Sequence, residues 1–131
     1  MFARIVDVVS SPGKTRILNE TIQKKLLPIL RVQPGFVDEM VLESDVEPYR
    51  VLSLSIWKTR EQAELYSQKK YPALKEVLLA SLETDPVVRT FTMASSTTRD
   101  ITGQGGVGLG RSGQRAVTSA GGSQLKASNF P

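Results

Sequence analysis

Five side chains of this 131-residue chain have the chemistry to hold a flat organic molecule. Trp57, Tyr66, Tyr71 and Phe36 offer aromatic faces, and the Trp57 indole adds one N–H donor. Arg89 supplies a guanidinium able to steady an anion. The missing residue types narrow the chemistry as much. There is no cysteine, which removes thiol catalysis, disulfides and thiolate metal sites. There is no histidine either, the commonest general base and metal ligand. Neither a metal nor an organic cofactor is expected. A reaction run by such a chain rests on positioning, and on stabilising a substrate anion with the Trp57 N–H, the Tyr66 hydroxyl or Arg89. The same residues have a plainer use, with Trp57 closing the end of a core and the other aromatics packing around it. Arg4, Asp7 and Arg89 interrupt otherwise apolar strands, so each needs a partner or water: a salt bridge or a polar substrate.

Two phosphate-binding look-alikes fail on context. Gly13-Lys14-Thr15 resembles the end of a P-loop, but Val8 stands where the first glycine belongs. Gly103-Gln104-Gly105-Gly106-Val107-Gly108 matches a dinucleotide fingerprint literally, without the strand before it or the helix after it that would give the match meaning.

The net charge of +4 hints at a nucleic-acid or membrane partner until its location is read. Residues 1–96 hold 13 Lys and Arg against 12 Asp and Glu, whereas residues 97–131 hold four cations against Asp100 alone. Eight of the ten glycines also lie in 97–131. That segment is expected to be a Gly/Ser-rich flexible tail, too poor in apolar surface to offset its ordering entropy. Residues 1–96 are expected to fold as a near-neutral domain that binds no nucleic acid. No apolar run approaches the ~20 residues of a membrane span, and Met1-Phe2-Ala3-Arg4 lacks the layout of a secretory signal. A cytoplasmic protein with no membrane partner is expected.

The elements that must position these side chains alternate along residues 1–96. Residues 2–10, rich in Val and Ile, predict a strand. Leu18, Ile22, Leu26, Ile29 and Leu30 recur at helical spacing over 14–32, with Pro28 expected to kink the helix and Pro34-Gly35 to stop it. Strands follow at 36–44 and 49–58. Thr59 and Gln62 form a capping box for a helix over 60–70, and Tyr71-Pro72 separates it from a further helix. Residues 87–95 predict a fourth strand. The order gives an α+β fold, the ferredoxin-like βαββαβ arrangement, with a four-stranded antiparallel sheet and helices on one face. Leu52, Leu54 and Ile56 are expected to pack under the helices, leaving Val51, Ser53, Ser55 and Trp57 opposite. Neither face reads as charged and solvated, so a homodimer with its sheets face to face is expected.

Residues 52–63, Leu-Ser-Leu-Ser-Ile-Trp-Lys-Thr-Arg-Glu-Gln-Ala, resemble the signature of the antibiotic biosynthesis monooxygenase domain. In that family a tryptophan ends the third strand and a capping Ser or Thr opens the next helix. Gln33-Pro34-Gly35-Phe36-Val37 is similar to its turn into the second strand. The resemblance covers residues 1–96 and implies a dimeric α/β barrel. It implies a cofactor-independent, monooxygenase-like protein acting on or binding a small aromatic or quinone-type molecule. The alternative is a non-catalytic dimeric binding or accessory module on the same scaffold. Haem degradation, another activity within the family, needs a histidine that this chain lacks; the matching position falls near Glu76. Where one quinone-forming branch has asparagine, four residues before the tryptophan, this chain has Ser53, which the resemblance makes a sixth pocket candidate with a shorter side chain and a hydroxyl in place of the amide.

Overall fold

The computed structural model describes residues 1–101. Alternating apolar and polar residues build β1 (Phe2–Val9), β2 (Phe36–Glu43), β3 (Arg50–Trp57) and β4 (Val87–Thr92). They join into one antiparallel sheet in the order β2-β3-β1-β4, the ferredoxin-like arrangement. Residues 94–101 fall outside this compact unit, and their described turn is held by Ser96 Oγ, which accepts from the backbone N–H groups of Thr98 and Arg99. The expected tail over 97–131 lies beyond the described residues from position 102 onward.

The first helical segment runs as α1 (Thr15–Thr21), a π-helical turn (Ile22–Leu26) and α2 (Leu27–Arg31). Pro28 explains the middle part. It has no N–H to give the carbonyl four residues back, and its ring would crowd that carbonyl. A wider turn just before the proline relieves both problems without breaking the helix. Leu18, Ile22, Leu26 and Leu30 all stay buried along one stripe. α3 (Arg60–Lys69) and α4 (Tyr71–Leu79) meet at Lys70, with Pro72 in the first turn of α4, where its missing donor is harmless. Their buried residues, Ala63, Tyr66, Tyr71, Leu74 and Leu78, complete the helix layer over the sheet.

The strand register fixes which face the helices cover. Phe2, Val6 and Val8 of β1 and Val51 and Trp57 of β3 belong to the buried core. Odd-numbered residues of β3 therefore face the helices. Leu52, Leu54 and Ile56 lie on the opposite face, so the expected orientation of this strand is inverted. Val51 and Trp57 take core positions on that face, and Ser53 and Ser55 beside them are accommodated there by hydrogen bonds. The leucines consequently form an apolar outer face with Ile5, Met40, Leu42, Val87 and Phe91.

The hinge of the site is the junction of β2, β3 and α3. Thr59 Oγ1 accepts from the Gln62 N–H at 3.1 Å and caps α3. Gly35 turns the chain into β2 with φ +81°, and a Cβ there would overlap the Gln62 side chain. Its carbonyl also receives the Lys58 N–H at 2.8 Å. Gly35→Ala combines a left-handed backbone with a steric clash, so we expect a loss of at least about 1 kcal/mol in denaturant unfolding. An unchanged midpoint would show that the turn relaxes freely.

Candidate functional site

A single extra residue in β2 creates the polar part of the site. Phe36 pairs with Trp57 and Asp38 with Ile56, leaving Val37 as a bulge. Side chains alternate along a strand, so the bulge reverses the inward set from Asp38 to Glu39. Glu39 then pairs with Ser55, and Ser55 with Arg4 on the next strand. Arg4, Ser55 and Glu39 form one row across β1, β3 and β2 beneath the helices. With strands about 4.8 Å apart, Arg4 and Glu39 sit roughly 10 Å apart at their Cα atoms.

Each member of the row is held differently. Ser55 Oγ accepts from Trp57 Nε1 at 2.9 Å and donates to the Arg4 carbonyl at 3.3 Å, so its bonding is internal. Trp57 is fully buried, edge-on to Phe36 at 5.7 Å and tilted against Tyr66 at 5.2 Å. Tyr66 continues the chain to Tyr71 at 6.5 Å. Arg4 is 3% exposed, and its guanidinium lies over the Tyr71 ring at 4.2 Å and the Tyr66 ring at 5.4 Å. One of its Nη atoms donates to Ser67 Oγ at 3.4 Å. Glu39 Oε2 accepts from the Ser53 hydroxyl.

Three buried polar atoms in this group lack a hydrogen bond of good geometry, Arg4 Nε, Glu39 Oε1 and Tyr71 Oη, although the Arg4 guanidinium lies near enough to the Tyr71 hydroxyl to act on it as a hydrogen-bonding neighbour. Arg4, Glu39 and Tyr71 line one cavity with Ser53, Ser55 and Tyr66, against a wall of Val6, Leu18, Ile22, Leu26 and Leu78. The enclosed space is about 20 Å³, where one water needs about 10–15 Å³ on the same measure. An unpartnered buried polar group costs about 1–3 kcal/mol, more when charged, so this cavity is where a water or a polar ligand group gains hydrogen bonds.

Burial also tunes the titrating groups. Desolvation pushes the Glu39 carboxyl up from its ordinary 4.5 to about 7, against the opposing pull of the Ser53 hydroxyl and Arg4. It raises the Tyr66 phenol to about 12 and the Tyr71 phenol in the same direction, with Arg4 opposing both. Desolvation lowers Arg4 from its ordinary value, which the two tyrosines and Glu39 resist. The result is a proton acceptor poised near neutrality beside two phenols that stay protonated and a cation that stays charged.

Of the six residues singled out from sequence, Tyr66, Tyr71 and Ser53 line the cavity. Trp57 and Phe36 stand behind Tyr66 as its support, and the Trp57 N–H is already committed to Ser55. Arg89 is on the other face of the sheet, bonded to Asp7 at 3.1 Å, while Arg50 holds the second Asp7 oxygen at 2.7 Å. Asp7 and Arg89 are thus a strand-face ion pair, and neither the indole N–H nor Arg89 is available to an anion in this cavity. Glu76 is exposed on α4. Glu39 is not among the six, although the sequence carries its signal: two adjacent acids in a strand, Asp38 and Glu39, must send one inward.

The raised Glu39 value makes stability depend on pH. A folded carboxyl that binds its proton more tightly than the unfolded one contributes stability below the unfolded value, lost as pH rises through about 7. Glu39→Gln removes that loss. The variant is expected to match the parent near pH 4 and to exceed it by roughly 1–3 kcal/mol at pH 8, since each tenfold difference in proton affinity is about 1.4 kcal/mol. Urea midpoints across pH 4–8 read the difference, and parallel curves for the two proteins would contradict it.

No protein-family model and no curated protein matches the chain by sequence. Solved structures do match. A monooxygenase of Streptomyces coelicolor from the gene ActVA-Orf6, in complex with nanaomycin D, aligns at 16% identity and TM-score 0.63, over 76% of this chain and 92% of that one. SnoaB, a cofactor-independent oxygenase of Streptomyces nogalater, aligns at 14% identity and TM-score 0.61, over 75% and 98%. A candidate antibiotic biosynthesis monooxygenase of Nitrosomonas europaea aligns at 19% identity and TM-score 0.61, over 72% and 100%. Residues 1–93 thus carry the α+β, ferredoxin-like fold of the antibiotic biosynthesis monooxygenases.

Proposed function

We propose that the protein is a cofactor-independent, monooxygenase-like enzyme that takes a small aromatic or quinone-type molecule between sheet and helices. The observation that carries this is the convergence of the Arg4 guanidinium, Glu39 Oε1 and Tyr71 Oη, polar groups buried beneath the helices, on one mostly apolar cavity. The fold shared with a nanaomycin-bound monooxygenase and a cofactor-independent oxygenase supports it. In such a reaction the site removes a proton from an electron-rich carbon acid and holds the anion. The anion gives one electron to dioxygen, the resulting pair combines to form a C–O bond, and the peroxide loses water to leave a carbonyl. In net terms a CH₂ group and O₂ become C=O and H₂O. Arg4 stabilises the charge that develops, and its low-dielectric surroundings strengthen that effect.

The cavity as it stands admits about one water. An aromatic ring therefore requires the helix layer to move outward, and the π-helical turn that contributes Ile22 and Leu26 to the wall is its least regular part. The small volume favours the second reading, a non-catalytic binding or accessory module, if no turnover is found.

A homodimer through the outer sheet face completes the proposal. Met40, Leu42, Val87 and Phe91 are each 40–50% exposed there. Sheet faces of this character are ordinarily covered, and a second copy of the same face covers it symmetrically. Among the described residues no helix is long and apolar enough to cross a membrane, and a cytoplasmic setting without nucleic-acid or membrane partners is part of the same proposal.

Two measurements test these points. Oxygen consumption with anthrone, which oxidises to anthraquinone and water, is expected to rise at least tenfold over buffer with the native protein. Arg4→Met is expected to remove most of the increase. Binding of anthraquinone without any turnover of anthrone would select the accessory module instead. By sedimentation at micromolar concentration the native chain is expected to be a dimer and Leu54→Asp a monomer; a monodisperse native monomer contradicts the sheet-face pairing.

A further inference from the structure

Strand register divides the outer face of the sheet into rows. One row runs from edge to edge through Met40, Leu54, Ile5 and Arg89. After the bulge at Val37, Asp38 joins Met40 on this face and begins the next row, beside Ile56. Asp38 and Arg89 therefore stand on the two edge strands, β2 and β4, one row apart. Three strand spacings separate them by about 14 Å, and the row step adds about 7 Å, so they cannot pair within one chain. Between them lies the apolar centre of the face.

A second copy covering this face is related to the first by a two-fold axis lying between the sheets. In the aligned class of sheet packing that axis runs along the strands or across them. Along the strands, it lays β4 of each chain over β2 of the other at both edges. The rows stay in step, and Ile5 of each chain meets the partner's Leu54. Arg89 then lies one row from the partner's Asp38. With sheets about 10 Å apart and rows about 7 Å apart, the two Cα atoms are roughly 12 Å apart, within reach of an extended arginine and an aspartate. Across the strands, the axis lays β4 over β4 and brings the two Arg89 guanidinium groups to the same edge, like charge toward like. Charge selects the first arrangement.

We propose that Arg89 pairs with Asp38 of the partner subunit, so that two reciprocal ion pairs, one at each edge, set the orientation in which two copies of this chain meet. This rests on the sheet-face dimer above and adds an orientation and a selective contact to it. The Arg89 side chain is half exposed and spends one Nη on Asp7, at 3.1 Å. Arg50 holds the other Asp7 oxygen at 2.7 Å, so Asp7 keeps a partner when Arg89 turns to a second carboxylate. Asp38 Oδ1 accepts from the Glu39 N–H at 2.8 Å, which holds the carboxyl at its edge. Once a second copy covers Arg89, its other N–H groups need acceptors, and the partner's Asp38 supplies them. The same contact recurs at both edges, so the chain favours its own copy over an unrelated sheet.

Mixing charge-reversed full-length chains tests the pairing. Asp38→Lys and Arg89→Glu each set like charges at both contacts of their own dimer, whereas one chain of each restores attraction at both. Native mass spectrometry resolves the three dimers by mass. The mixed dimer is expected to exceed either parent dimer by at least about tenfold, against about twofold for random exchange. Glu20→Lys makes the same charge change on α1 and, mixed with Arg89→Glu, is expected to exchange at random. The milder Asp38→Asn and Arg89→Gln are each expected to weaken the native dimer about fivefold, and the double variant no further than either single. Random exchange in the first mixture, with circular dichroism confirming both folds, overturns this pairing and leaves the sheet-face dimer standing. So does a mixed dimer favoured equally in both mixtures, or an additive double variant. A monomeric native chain overturns both the pairing and the dimer.

Discussion

Side chains alternate along a strand, so inserting one residue inverts everything beyond it. In β2 that residue is Val37. Without the bulge, the inward positions after Phe36 would be Asp38, Met40 and Leu42, and the helices would cover two apolar residues and one acid close to the rim. With it, Met40 and Leu42 face out, while Glu39 faces in from the edge strand, level with Ser55 and Arg4. A carboxylate and a guanidinium then share a low-dielectric compartment without a direct ion pair between them. Burial raises the proton affinity of the first and lowers that of the second. The slip accounts for the first shift, whereas Arg4 is desolvated on β1 and Glu39 partly offsets that effect.

The sheet also carries polar residues on its covered face, among Phe2, Val6, Val8, Val51 and Trp57, and apolar ones on its outer face. Its covered face carries Arg4, Glu39, Ser53 and Ser55, and its outer face carries Leu52, Leu54, Met40, Leu42 and Phe91. A buried polar network is tolerable only if its members find partners. Here the partnering is nearly complete at the back: Ser55 ties Trp57 to β1, Ser53 holds one oxygen of Glu39, and Ser67 takes one Nη of Arg4. The remaining polarity points into the cavity. The aromatic run from Phe36 through Trp57 and Tyr66 to Tyr71 acts as the rigid support on which Arg4 lies. Stability and site are thus built from the same residues, and changes to Trp57 or Tyr66 act on both.

Element order, strand count and nearly every boundary can be read from the sequence, because Val/Ile strands, the Thr59 cap and the proline–glycine stops are local signals. The kink expected from Pro28 is realised as a π-helical turn one step earlier, a choice that depends on keeping Ile22 and Leu26 buried. The faces of β3 are not legible in the same way. Leucine at every second position ordinarily marks the inward side, and here it is outweighed by the burial of Val51 and Trp57 against the helices, with Ser53 and Ser55 satisfied between them. The aromatic group is legible by residue type, but its division into lining (Tyr66, Tyr71) and support (Trp57, Phe36) depends on packing. Arg89 does not belong to the cavity because its partner is Asp7, 82 residues away, a pairing that only strand register reveals. Glu39 is hidden by the bulge, which no turn residue announces.

All of this meets in the environment of one carboxyl group. The ¹³C chemical shift of the Glu39 side-chain carboxyl, followed through a pH titration of the folded protein, measures it directly. A desolvated carboxyl with one free oxygen titrates near pH 7. A midpoint at the ordinary value of 4.5 would mean that water or a cation reaches Glu39, and the cavity would then have no poised proton acceptor.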